Sequence, residues 1–250
     1  AVAREPVPKA LVSLVRRNRR RYGGYLVHVG IVVLFVGVAA SSSYKAVRDV
    51  ALNPGESARV GGKQFTYVKP TAELHAAPNG RLERIALGAE LRVDGKTMHT
   101  SKDYFPSQDP QLGPVTRFFD GESTTEVALD ASLGNDVWAA VGPDIAKLRP
   151  RLEEGDRLFA DAADDLSPED SNRFLGLALR GLTDSYTDNP PPARFRLEVN
   201  PMVTWIWIGA LIVLAGGALA GWPTRRGLTK IAGARYAARV GREVREHVPA

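Results

Sequence analysis

The stretch Tyr22-GGYLVHVGIVVLFVGVAASSS-Tyr44 carries no acid, lysine or arginine from end to end. A helix rises about 1.5 Å per residue, so a run of this length crosses a hydrocarbon core. A second uncharged run, Met202-VTWIWIGALIVLAGGALAG-Trp222, stands near the other end of the chain. Neither reads as a signal peptide: the first begins too deep in the chain and lacks an A-x-A cleavage site, and the second comes too late. The expected architecture is a membrane protein with two transmembrane helices, 23–43 and 201–222. They frame an exported, mainly antiparallel β domain over 44–200, sandwich-like or barrel-like, with a helical insertion.

Charge sets the expected orientation. Residues 1–24 hold seven Lys and Arg against one acid, and 223–250 hold seven against two. Residues 45–200 hold nineteen against twenty-five, so the overall +5 belongs to the flanks and the middle is acidic. Positive residues stay on the cytoplasmic side. Both termini are therefore expected inside, with 1–22 as a basic interfacial segment, 223–250 as a basic tail and 44–200 outside. Trp205 and Trp207 would then lie at the outer interface and Trp222 at the inner one. A basic pI of 9.5 would fit nucleic acid, but these charges flank apolar spans, where lipid headgroups account for them. Nucleic acid is not an expected partner, and membrane lipid is. The chain opens on Ala1 with no export signal ahead of the first span, which reads as the tail of a longer polytopic protein or a processed product.

The middle stretch is long enough to bury its own core. There is no cysteine, which excludes disulfides, a thiolate nucleophile, a thiol oxidoreductase and a Cys-zinc site within this chain. Strand-like segments at 45–52, 64–69, 81–93, 96–105, 115–119 and 124–129 are separated by turn signals such as Asp94-Gly95 and Asp120-Gly121. The pattern changes after Gly142-Pro143. Residues 144–183 are rich in helix formers, with Ser167 placed to cap a helix starting at Pro168. The prolines at 190–192 end that insertion, and 193–199 reads as a last strand. No catalytic constellation stands out: His75 and His99 are isolated, and the acid pairs Glu153-Glu154 and Asp164-Asp165 are merely adjacent in sequence.

His28 is different. An ionisable side chain inside a span is costly and by default marks function. A structural role, bonding a neighbouring helix or reaching the headgroups, is the competing reading. Helical side chains lean toward the N-terminus, so this imidazole projects over Gly24, where no side chain obstructs a flat ring system. Gly23, Gly30 and Gly37 repeat every seven residues on another face, a stripe that lets helices approach closely. A buried neutral imidazole with open space above it suits an axial haem ligand, with the opposite iron face filled from elsewhere.

Three motifs carry a family resemblance. Arg19-RRYGGYLVHVGIVVLFV-Gly37 resembles the histidine-bearing span of the haem lyase subunit of cytochrome c maturation, the CcmF family. Tyr44-KAVRDVALNPGE-Ser57 continues it, and Asn200-PMVTWIWIGALIVLAG-Gly217 resembles the closing span of that family. The resemblance implies the C-terminal part of a protein in a bacterial inner membrane that attaches haem to Cys-x-x-Cys-His motifs of apocytochrome c. Its partners would be apocytochrome c, a haem chaperone and other maturation subunits. Its cofactor would be an embedded haem b, for which His28 matches the position of one axial iron ligand. The tryptophan-rich haem-handling motif and the other histidines of that family do not occur in this sequence, so this part would not be catalytic alone. The insertion at 144–183 is long for the family pattern. Two other readings stand beside this one: a membrane-anchored exported binding or scaffold module without haem, and a transport subunit in which His28 relays protons.

Overall fold

A computed structural model describes residues 6–162, 167–222 and 236–240. The chain divides into two compact units, Ala1–Val36 with Trp205–Ala250, and Gly37–Thr204. Of the basic tail expected over 223–250, all but 236–240 lies outside the described residues.

In the first unit, helix α1 (Val7–Arg17) stops at Asn18 and α2 (Arg19–Ser43) follows at once. The break therefore falls within the arginine cluster, between Arg17 and Arg19, and not after Tyr22 as the charge pattern implied. Arg19, Arg20 and Arg21 form the first turn of α2, where Arg21 Nε donates to Tyr25 Oη at 2.7 Å one turn on. The second long helix, Val203–Gly221, is called α5 below. Both α2 and α5 are long and apolar enough to cross a membrane.

These two helices meet backbone to backbone. A Cβ added at Gly30 would lie 2.7 Å from the Val213 nitrogen and 2.9 Å from the Gly209 oxygen. One added at Gly23 would lie 2.7 Å from the Gly216 oxygen. Gly209 and Gly216 are equally tight from the α5 side, so two heptad-spaced glycine pairs face each other in antiparallel register. Gly37, the third member of the stripe, is also buried but falls in the second unit.

The second unit is built from antiparallel strands. In chain order they are β1 (Ala46–Leu52), β2 (Ser57–Val60), β3 (Lys63–Ala76), β4 (Leu82–Val93), β5 (Lys96–Tyr104), β6 (Ser123–Glu126), β7 (Ala128–Asp130), β8 (Asn135–Gly142) and β9 (Ala193–Pro201). One sheet runs β1-β9-β8-β7 and the other β2-β3-β4-β5-β6. The Asp94-Gly95 turn closes β4 onto β5 with both residues at positive φ (48° and 88°), the two-residue hairpin geometry. The five-stranded sheet curls toward the other: Thr100 Oγ1 donates to the Glu126 carbonyl and accepts from the Val141 amide, tying β5 to β6 and β8.

Two hydrophobic clusters share this curled sheet. Phe65, Tyr67, Leu91, Phe195 and Leu197 are buried between the sheets. Ile85, Leu87, Leu179, Leu182 and Tyr186 fill a second core beneath two helices, α3 (Arg149–Ala162) and α4 (Pro168–Asp188). Burying such a side chain stabilises by roughly 1.5–3 kcal/mol. Burial also pushes the Tyr67 and Tyr104 hydroxyls up from 10.0 to about 12. Across the sheet edge, burial works against ionisation of Glu198, but Lys45 at 2.7 Å and Arg196 at 2.9 Å outweigh it and hold its carboxyl below the usual range.

Two segments depart from the strand pattern. Residues 115–119 form a 3-10 turn over Thr116–Phe118, not a strand. The Asp156 carboxylate of α3 accepts from the amides of Val115 (2.7 Å) and Thr116 (3.2 Å), which caps the turn while Phe118 is buried in the second core. The apolar alternation of 124–129 is split between β6 and β7, which belong to different sheets. Strands β2 and β8 are two further strands, outside the segments that the turn signals mark in the sequence.

The glycine contacts make a direct prediction. Gly30→Leu should lower the thermal midpoint of the detergent-solubilised chain, because overpacking a close helix crossing costs about 1–3 kcal/mol. Gly24→Leu, at a position with nothing within 4 Å of the added Cβ, should leave the midpoint close to wild type. Equal midpoints for both variants would refute the crossing.

Candidate functional site

Two places concentrate the chemistry-bearing side chains, one in each unit.

In the first unit, His28 lies on α2 with Nδ1 2.7 Å from the Gly24 carbonyl oxygen. A carbonyl only accepts, so Nδ1 is the donor, and in the neutral ring Nε2 then keeps its lone pair. A second-atom hydrogen bond of this kind orients an imidazole for metal ligation. The space over Gly24 is open. Within this chain the ring faces outward, away from α5. Helix geometry gives the reason: at about 100° per residue, position 28 stands roughly 140–160° around α2 from Gly23 and Gly30, which face α5. The outward face around His28 also carries exposed Tyr25, Val32 and Phe35.

In the second unit, the outer face of the curled sheet forms a polar groove of about 300 Å³. Register brings its residues together. The Asp94-Gly95 hairpin pairs Glu90 with His99 and Ala86 with Asp103, while β3 pairs Lys69 with Glu90 and His75 with Arg84. Gly88 forms the floor: a Cβ there would lie 2.7 Å from the Thr100 carbonyl oxygen, so the strands close in around it. Arg84 donates to the buried Asp103 carboxylate at 2.6 Å, and Ser101 Oγ donates to its other oxygen at 3.0 Å. His75 Nε2 lies 3.5 Å from both Arg84 and Glu73.

His75 and His99, isolated in the sequence, therefore line one groove. Their surroundings do not make a nucleophile and base pair. Ser101 donates straight to Asp103, and His75 contacts Arg84 and Glu73. Among the described residues there is no group of three or more His, Asp or Glu that could hold a metal ion. The signal for the groove was present in the sequence. Counting back from the Asp94-Gly95 turn with period two places Glu90, Gly88, Ala86, Arg84, His99, Ser101 and Asp103 on one face.

An apolar helix pair and a curled antiparallel β domain thus define the class, with an outward-facing histidine on the first long helix. No family model matches the chain. It is 27% identical over 215 residues to the cytochrome c-type biogenesis protein CcmF of Pseudomonas aeruginosa, covering 85% of this chain and 24% of that protein. The CcmF proteins of Haemophilus influenzae and Escherichia coli are 26% and 25% identical over 83% and 79% of the chain. The chain spans about a quarter of the length of these curated relatives. A solved structure named cytochrome c heme lyase CcmF aligns with 89% of the chain and 27% of its own length, at 18% identity and a TM-score of 0.47. The chain is thus similar to the CcmF proteins over most of its length.

The buried ion pair in the groove gives a stability test. Arg84→Ala strands the Asp103 carboxylate, 1% exposed, with Ser101 as its remaining side-chain donor. The expected cost is about 3 kcal/mol or more, read as a lower urea midpoint, because an uncompensated buried charge is left behind. Arg84→Leu with Asp103→Leu should recover most of the loss. A single variant as stable as wild type would show that the carboxylate is solvated.

Proposed function

We propose that this chain is the C-terminal part of a cytochrome c haem lyase of the CcmF type. In this reading it contributes one axial ligand, His28, to a haem b embedded in the membrane, and an exported domain used when haem is attached covalently to apocytochrome c. The similarity to CcmF proteins over 79–85% of the chain carries the proposal. His28, inside the motif that resembles the family's histidine-bearing span, supplies the local chemistry.

The donor set fits haem to this extent. The Nδ1 proton is committed to the Gly24 carbonyl, which leaves Nε2 as a ligand atom on an exposed apolar face. Gly24 leaves room for a flat macrocycle beside the helix. When bound, haem would supply a one-electron centre within the membrane. The chain's own part is to fix the tautomer of His28, orient its ring and surround it with apolar side chains such as Val32 and Phe35 that exclude water. Any further donor that haem would need would come from outside this chain. Having no cysteine, the chain leaves the reacting thiols to the Cys-x-x-Cys-His motif of the apocytochrome. A haem chaperone and further maturation subunits are the other partners in this reading.

The location follows from the charge pattern. The chain lies in a bacterial inner membrane with α2 and α5 as its spans, both termini cytoplasmic and residues 44–200 on the periplasmic side. Helix α1, with Val12 and Leu14 exposed beside Arg16 and Arg17, lies at the cytoplasmic interface against anionic lipid. Protease added to intact spheroplasts should cut within 44–200 and leave both termini protected. Cleavage confined to the termini would reverse the orientation.

The decisive variant is His28→Ala in the complete protein. Loss of Nε2 should remove the b-type absorbance, and cytochrome c maturation should fall with it. Membrane insertion should persist, since the change removes a polar group from the span. Added imidazole should restore part of the absorbance by refilling the vacated site. Purified His28→Ala protein with a full haem complement and an unchanged spectrum would defeat the ligand assignment.

A further inference from the structure

Where the helical insertion meets the sheet, the second unit holds a pocket of about 320 Å³. Its polar lining consists of Arg81, Arg117, Gln108 and Asn172, and no carboxylate side chain contributes. Both guanidinium groups are without an ion-pair partner among the described residues. Leu82, Pro106, Pro114, Phe118 and Leu175 supply an apolar wall.

The two arginines are fixed from the backbone. Arg81 closes the turn between β3 and β4: its carbonyl accepts from the Ala77 amide at 2.8 Å and its own amide donates to Asn79 Oδ1 at 3.0 Å. Arg117 sits in the 3-10 turn that Asp156 caps, with its amide donating to the Gly113 carbonyl at 3.0 Å. One terminal nitrogen of Arg117 donates to the Asp109 carbonyl at 3.2 Å. Its Nε is buried and has no hydrogen-bond partner. A buried N–H without an acceptor is costly, and an acceptor entering the pocket would recover that cost. The insertion builds the site from two sides, through Asp156 on α3 and through Asn172 and Leu175 on α4.

We propose that this pocket binds a small organic carboxylate, with Arg117 and Arg81 taking the carboxylate and the wall of Phe118 and Leu175 taking an apolar body. A guanidinium fork matches the planar, two-oxygen geometry of a carboxylate, and the Nε of Arg117, without a partner, shares an edge with Nη2, whose two N–H groups serve one acceptor, the Asp109 carbonyl. The volume is of the size that holds a small ligand. Gln108 and Asn172 add neutral donors that favour an anion without competing charge. The proposal rests on the second unit alone and is independent of the haem reading.

Titration of the full chain in detergent with benzoate, followed by ligand-observed NMR, tests it. Benzoate should bind saturably and at least about ten-fold more tightly than the neutral benzamide or than inorganic phosphate. Arg81→Gln should weaken benzoate about ten-fold, and Arg117→Gln by more. Arg151→Gln, on the exposed side of α3, should have no effect. Arg81 is exposed and held through its backbone, so Arg81→Gln keeps the test valid even where Arg117→Gln unseats its loop. Benzoate binding no tighter than benzamide, or an Arg81→Gln affinity equal to wild type, would overturn the site. Phosphate binding as tightly as benzoate would overturn the carboxylate assignment.

Discussion

The bulge between Tyr67 and Lys69 decides how the second unit is built, because it changes which residues of β3 point inward. Before it, Phe65 and Tyr67 face the partner sheet. After it, Ala72 and Leu74 continue on the same side, opposite Leu87 and Ile85 of β4. One long ribbon thereby lines two cores, the first closed by β1, β9 and β8 and the second by α3 and α4. Without the shift, Glu73 and His75 would turn into the apolar layer under the helices. With it, they fall on the outer face, where the polar groove forms.

A similar division of faces organises the helix pair. Heptad-spaced glycines bring the backbones of α2 and α5 within contact, a distance at which any Cβ would clash. The price of that crossing is that no bulky side chain can sit on the contact face, so His28, Tyr25 and Phe35 all lie away from it. The exposed histidine is a consequence of the packing. Its Nδ1 hydrogen bond is made within its own helix, which leaves Nε2 facing outward.

The insertion does more than cover the second core. Asp156 fastens the turn that carries Arg117, and α4 walls the pocket that turn opens into. The insertion thus helps build a cationic pocket in an otherwise acidic domain. Charge that would be solvated on an exposed loop is held in place by main-chain hydrogen bonds around it.

The two long helices, the antiparallel sheet and the helical character of the insertion were legible in the residues alone. Each rests on a local period, a turn signal or an uncharged run that the chain displays over consecutive positions. His28 and the space over Gly24 were legible for the same reason, since both depend on spacing within one helix. The exposure of that histidine was not, because it depends on which face α5 occupies. The 3-10 turn at 116–118 was hidden because its cap comes from Asp156, forty residues further on. The groove joining His75, His99, Arg84 and Asp103 needed the register of three strands, and the pocket around Arg117 needed two helices docked on a turn. Sequence fixes what each segment becomes. Tertiary packing decides which segments become neighbours, and therefore where buried charge and open space coincide.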